Sequence, residues 1–136
     1  VMNLIYSLSA YPLGRLSDRI GRNGLLATGL AVLIVSNLTL AVAETGYYVA
    51  AGAALWGLHM GLTQGLLAAM VADKALHHLR GTAFGIFNLA GGIALLAASL
   101  LAGGLWEQFG PSTTFFAGAA IAVAVFIGNL IFGKYL

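Results

Sequence analysis

The sequence predicts an all-α polytopic membrane protein, with four full transmembrane helices behind one partial helix at the N-terminus. Three observations lead there. Hydrophobic residues make up 60% of the 136 and charged residues only 7%, whereas soluble domains carry roughly 25% charged residues. Four apolar runs without a charge are each long enough to cross about 30 Å of hydrocarbon as a helix. The 6 Lys and Arg residues fall only on alternate connections between those runs. With a mean hydropathy of +0.96, a tightly packed soluble helical domain is the competing class, and the length of the uncharged runs argues against it.

The elements follow in order. Val1–Leu13 is apolar with polar insertions at Asn3, Tyr6, Ser7 and Ser9 and a stop at Pro12. As a helix it covers about 20 Å, too little to cross, so it reads as the end of a helix whose beginning is missing. The chain also lacks an initiator Met, which points to a piece of a longer protein. Gly24–Ala43 is the first full span, and Glu44-Thr45-Gly46 a short turn. Tyr47–Met70 is the second span, with Tyr47, Tyr48 and Trp56 among its aromatics. A polar connection, Val71–Arg80, holds Asp73, Lys74, His77, His78 and Arg80. Gly81–Leu105 is the third span. The turn Trp106–Ser112 contains Glu107 and the pair Gly110-Pro111, which suits a helix restart. Thr113–Gly133 is the fourth span, followed by Lys134.

Charge counting orients these spans. Arg15, Arg19 and Arg22 lie in the first connection, Lys74 and Arg80 in the third, and Lys134 at the end. All the basic residues thus share one side, which is expected to be cytoplasmic together with the C-terminus. The expected location is the cell membrane. A net charge of +2 is too small and too localised to imply nucleic acid. With no cysteine, there is no disulfide framework and no thiolate nucleophile. Asp73, His77 and His78 are too few to read as a metal site and fit a solvated connection. No nucleophile–base pair, paired carboxylate or phosphate-cradling loop is present, so neither enzyme chemistry nor a cofactor is expected.

The first connection is the most specific stretch. Gly14–Asn23 reads Gly-Arg-Leu-Ser-Asp-Arg-Ile-Gly-Arg-Asn. Gly14 and Gly21 permit a tight reversal with backbone angles that other residues avoid. Asp18 sits among three arginines, able to accept from guanidinium groups or a helix N-terminus. The spacing Gly14, Asp18, Arg19, Gly21, Arg22 resembles the signature loop of the major facilitator superfamily of secondary transporters; Asn23 stands where a further basic residue is usual. The resemblance extends over nearly the whole chain and implies an MFS-type helical bundle with two six-helix halves. The first half typically has an Arg in its fourth helix and a Gly-Pro pair in its fifth, and neither occurs in Tyr47–Met70 or Gly81–Leu105. Ala72–Ala90 resembles the second half, so the spans are assigned as the end of helix 8 and helices 9 to 12. The resemblance further implies that the loop latches conformations, with Asp18 meeting a helix of the missing half. The plainer role is topological, with basic residues holding the hairpin inside.

An internal repeat agrees with this architecture. Gly14-x-Leu16-x-Asp18-x-Ile20-Gly21 is echoed by Gly103-x-Leu105-x-Glu107-x-Phe109-Gly110, and Gly29 by Gly118, each displaced by 89 residues. Three spans separate the copies, so they lie on opposite faces, as inverted-topology repeats do. Chance matching in glycine- and leucine-rich sequence is the alternative.

Within the spans, His59 is the one imidazole, followed by Thr63 and Gln64. An ionisable group in a membrane belongs in the bundle interior or a wet cavity. With a reference pKa of about 6.5, histidine suits a proton carrier or a hydrogen-bonder to solute. It suits equally a neutral ring satisfied by Thr63 or a backbone carbonyl. The resemblance implies that this helix lines the central cavity, and that Gly24–Ala43 and Thr113–Gly133 lie at the periphery. Ala53, Gly57, Gly61, Gly65 and Ala69 form a ridge for close helix approach. Gly81, Gly85, Asn88, Gly92, Ser99 and Gly103 share an arc of about 60° at about 100° per residue. That face is expected to meet another helix or the cavity, with Asn88 as interhelical glue or solute contact.

The expected function is transport of a small solute by alternating access, with the lipid bilayer, the missing N-terminal half and protons as coupling ion for partners. This chain alone is not expected to transport. The competing class is a small membrane protein that oligomerises through its glycine ridges.

Overall fold

The computed structural model describes residues 1–9 and 21–133; positions 10–20, which include Gly14, Asp18 and Arg19, and 134–136 lie outside it. Among the described residues all regular structure is helical. Residues 2–9 form α1. Helix α2 runs Arg22–Ala41, α3 Gly46–Lys74 and α4 Arg80–Phe132, with a 3-10 turn at His77–Leu79 before α4. Three stretches, Arg22–Ala41, Gly46–Lys74 and His77–Phe132, are long and apolar enough to cross a membrane by length and composition.

Local chemistry sets the boundaries. Gly21 precedes α2 with φ 74° and ψ 161°, a region essentially restricted to glycine. Helix α3 continues past Met70 to Lys74, because Val71–Lys74 holds nothing that breaks a helix and Lys74 complements the dipole in the last turn. The polar connection therefore shrinks to 75–79. The turn expected at Trp106–Ser112 contracts further. Helix continues through Trp106 and Glu107 and breaks only at Gly110, with φ 85° and ψ 176°. Pro111 restarts it, needing no amide partner at a first helical position. The Thr113 and Thr114 hydroxyls donate to the Phe109 and Gly110 carbonyls at 3.1 and 3.3 Å. Trp106 and Phe115 pack edge to face across the break, with centroids 6.1 Å apart. Helix α4 thus has a first arm, 80–109, and a second, 111–132.

Helix α2 is the hub. Leu25 packs with Leu62 and Leu66 of α3, and the buried Ser36 hydroxyl donates to the Gly52 carbonyl at 2.9 Å. The second arm of α4 lies antiparallel to α2 and is pinned at both ends. Asn23 Nδ2 donates to the Gly133 carbonyl, and Ser112 Oγ to the Ala41 carbonyl at 2.7 Å. Between the pins, a Cβ added at Gly118 would stand 2.7 Å from Asn37 Oδ1. On the α3 ridge, Gly57 meets the Met2 carbonyl of α1, whereas Gly65 faces open space.

The internal repeat has a conformational counterpart. Gly21 and Gly110, displaced by 89 residues, are the two residues of positive φ among those described. Two positions after each, Asn23 and Ser112 bond a carbonyl at the far end of the other helix. The first arm of α4 is the opposite case. Ile86, Leu89, Ile93, Leu96 and Leu100 are exposed, and Gly81, Gly85, Gly92 and Gly103 have open space around them. The face expected to meet a helix or cavity meets neither among the described residues.

Candidate functional site: a groove beside His59

The site begins with a glycine. At Gly29 the backbone of α2 is bare, so α3 comes close enough for His59 to reach a main-chain carbonyl. A Cβ there would lie 2.5 Å from Thr63 Cγ2 and 3.8 Å from His59 Nδ1. His59 Nδ1 and the Gly29 carbonyl are 2.8 Å apart. A carbonyl only accepts, so Nδ1 carries the proton and donates. The ring tautomer is thereby set, leaving Nε2 without a hydrogen bond among the described residues. Thr63 does not serve the ring. Its hydroxyl donates to the His59 backbone carbonyl at 2.9 Å, and its methyl fills the notch at Gly29.

His59 opens onto a groove of about 590 Å³ between α2, α3 and the second arm of α4. Leu26, Leu30 and Leu33 of α2, Leu67 of α3 and Val125 of α4 form its apolar walls. The polar lining is His59, Thr63 and Asn129. Among the described residues no Asp, Glu, Lys or Arg lines it. Asn129 also borders a smaller cleft with Asn23, Ala27 and Gly133. Gln64 and Asn88 are exposed elsewhere and are not brought to the groove.

A second site lies where α2 begins and α3 ends. Arg22, the last arginine of the glycine-framed loop, pairs with Asp73. Both side chains are about half exposed, at 45% and 50%. Asp73, expected in a solvated connection, stands half exposed in the last turn of α3 and joins it to the start of α2. Gly14, Asp18 and Arg19 lie outside the described residues. Among the described residues no group of three or more His, Cys, Asp or Glu is placed to hold a metal.

The model of the Major Facilitator Superfamily matches residues 1–135. The chain belongs to this superfamily. It is 35% identical over 121 residues to the uncharacterized MFS-type transporter MJ1317 of Methanocaldococcus jannaschii, covering 89% of this chain and 30% of that protein. It is 31% identical to the uncharacterized MFS-type transporter YwfA of Bacillus subtilis, over 84% of this chain and 28% of that one. The class B tetracycline resistance protein of Escherichia coli is 29% identical, over 85% of this chain and 28% of its own length. The chain thus spans less than a third of the length of these relatives. No solved structure matches it. Members of the superfamily are membrane-embedded and carry small-molecule solutes, which accords with the apolar helices seen here.

Asn129 and Gly29 are the site residues that the sequence did not single out. A lone amide in an uncharged span is the signal that could have found Asn129, since an unpaired amide in hydrocarbon is costly. For Gly29 the only signal was its repeat partner Gly118.

Proposed function

We propose that this chain is the C-terminal portion of a secondary active transporter, moving a small solute across the cell membrane by alternating access. Membership of the superfamily along almost the entire chain supports this reading most strongly. Four full spans follow the partial first one, a reading that the break at Gly110 supports by separating the two arms of α4. The matched conformations at Gly21 and Gly110 support an inverted repeat. The basic connections and the C-terminus lie in the cytoplasm. His59, with Thr63 behind it, faces the solute path and is the candidate for proton coupling; Gln64 and Asn88, exposed in this chain, face the cavity shared with the missing half of the transporter. The loop from Gly14 through Asp18 and Arg19 to Gly21 and Arg22 works as a latch between conformations. Pairing of Arg22 with Asp73 is consistent with that role, because it links the loop to the helix that bears His59.

The test uses the complete transporter in proteoliposomes. His59→Gln is expected to slow uptake and alter its pH profile, while an unchanged rate and profile would remove His59 from coupling. Asp18→Ala is expected to impair transport with normal membrane insertion. A second reading, self-association through α4, is favoured by the open glycines at 81, 85, 92 and 103. It predicts crosslinks between copies at those positions, whereas the transporter reading predicts crosslinks within one complete chain.

A further inference from the structure

We propose that the turn His77–Leu79 and the start of α4 form a binding site for an anionic phospholipid of the cytoplasmic leaflet. Arg80 holds its phosphate together with His77 and His78, while Leu76 and Leu79 lie among its acyl chains. The site rests on the membrane placement and orientation given above, not on transport itself. Its donors are unspent. Arg80 Nε is buried without a partner, and among the described residues neither this guanidinium nor the His77 and His78 rings make a hydrogen bond or ion pair. The Leu79 N–H donates to the Leu76 carbonyl at 2.8 Å, closing the turn that carries these side chains. No acid among the described residues is left to satisfy them. Asp73 is engaged by Arg22, Glu44 lies in the turn at the opposite ends of α2 and α3, and Glu107 stands about 40 Å along α4 from Arg80. No side chain caps α4 and its first turn holds no acid, so the helix dipole favours the same negative charge.

The apolar neighbours choose among anions. Leu76 and Leu79 are exposed beside the donors, and Ile86 and Ile93 are exposed further along α4. A water-soluble anion leaves these side chains uncovered, whereas a lipid covers them with the molecule that brings the charge. Ile86 and Ile93 stand about 120° round α4 from the arc of Gly81, Gly85, Asn88 and Gly92. Acyl chains on one face and a packed helix on the other therefore do not compete. The guanidinium fork matches two phosphate oxygens, its aliphatic stem packs on apolar surface, and the anionic cytoplasmic leaflet attracts juxtamembrane cations.

The experiment titrates the complete transporter, in a neutral detergent, with dioctanoyl phosphatidylglycerol or dioctanoyl phosphatidylcholine and reads bound lipid by native mass spectrometry. The tightest site is expected to prefer phosphatidylglycerol. Arg80→Gln is expected to weaken that binding about tenfold, as loss of a charge-assisted hydrogen bond implies, and to erase the preference. His77→Ala with His78→Ala, both exposed, is expected to weaken it severalfold, and this variant decides the matter if Arg80→Gln does not fold. Glycerol 1-phosphate, a head without tails, is expected not to displace the lipid at equal concentration. Equal binding of the two lipids by the unaltered protein overturns the proposal. So does a preference that survives Arg80→Gln, the result if a carboxylate of the missing half already occupies Arg80. Displacement by glycerol 1-phosphate overturns it too, making a soluble phosphate ester the ligand. Phosphatidylglycerol preference without transport of any solute would sink the transport reading and leave the site standing; transport without that preference would do the reverse.

Discussion

At Gly29 a single hydrogen atom in place of a methyl group decides how closely two helices approach. Thr63 is β-branched and stiff at χ1, so its methyl cannot swing away from an added Cβ 2.5 Å distant. Gly29→Ala is therefore expected to destabilise the complete protein by about 1–3 kcal/mol, the usual range for overpacking. Thr63→Ser removes that methyl and keeps the hydroxyl on the His59 carbonyl, so the double variant should regain most of the loss. Thermal unfolding in detergent measures the cycle; an additive result would mean that the clash lies elsewhere. Ser36 is a simpler case. Its buried hydroxyl bridges α2 to the Gly52 carbonyl, and interhelical hydrogen bonds in membranes average about 0.6 kcal/mol. Ser36→Ala should cost about that much and leave transport intact.

Helices, their order and most of their ends could be read from the sequence, because long uncharged runs and glycine-proline punctuation are strong signals. The ends that shifted did so for physical reasons. Polar residues at Asp73 and Lys74 suggested a loop, yet they suit the last turn of a helix. Glu107 and the Gly110-Pro111 pair suggested a turn over Trp106–Ser112, yet only Gly110 has a backbone that leaves the helix. Which face of each helix packs inward was far less legible. Inside the bundle and outside it the surroundings are equally apolar, so no amphipathic stripe marks the interface. The groove was half visible for that reason: His59 stood out, whereas Asn129 sat unremarked among Gly128, Leu130 and Ile131. Gly110→Ala tests the break itself. At φ 85° and ψ 176° a side chain costs about 1–3 kcal/mol, so stability should fall by that amount, read as a lower melting temperature. Gly91→Ala, mid-helix and with nothing within 4 Å of an added Cβ, should be neutral or mildly stabilising by the higher helix propensity of alanine.

On the scale of the whole molecule, the chain is a three-helix core around α2 with one long arm unsupported by it. The Arg22–Asp73 pair closes one end of that core. Half-exposed pairs contribute about 0–1 kcal/mol, so Arg22→Ala should barely change the melting temperature. Its expected effect is on transport, and the exchange Arg22→Asp with Asp73→Arg should restore activity if the contact itself matters. Orientation is testable in the same protein. Cysteines at Glu44 and His78 should label from opposite sides of the membrane, and labelling from one side would overturn the span order. The late break at Gly110 has a consequence for the bilayer. Uninterrupted helix over 80–109 measures about 45 Å, against about 30 Å of hydrocarbon. Such excess is absorbed by leaning away from the normal or by thickening the surrounding lipid. With this arm as one span, the Trp106 indole, one turn before the break, is expected at headgroup depth, and the angle of the arm is expected to respond to acyl-chain length.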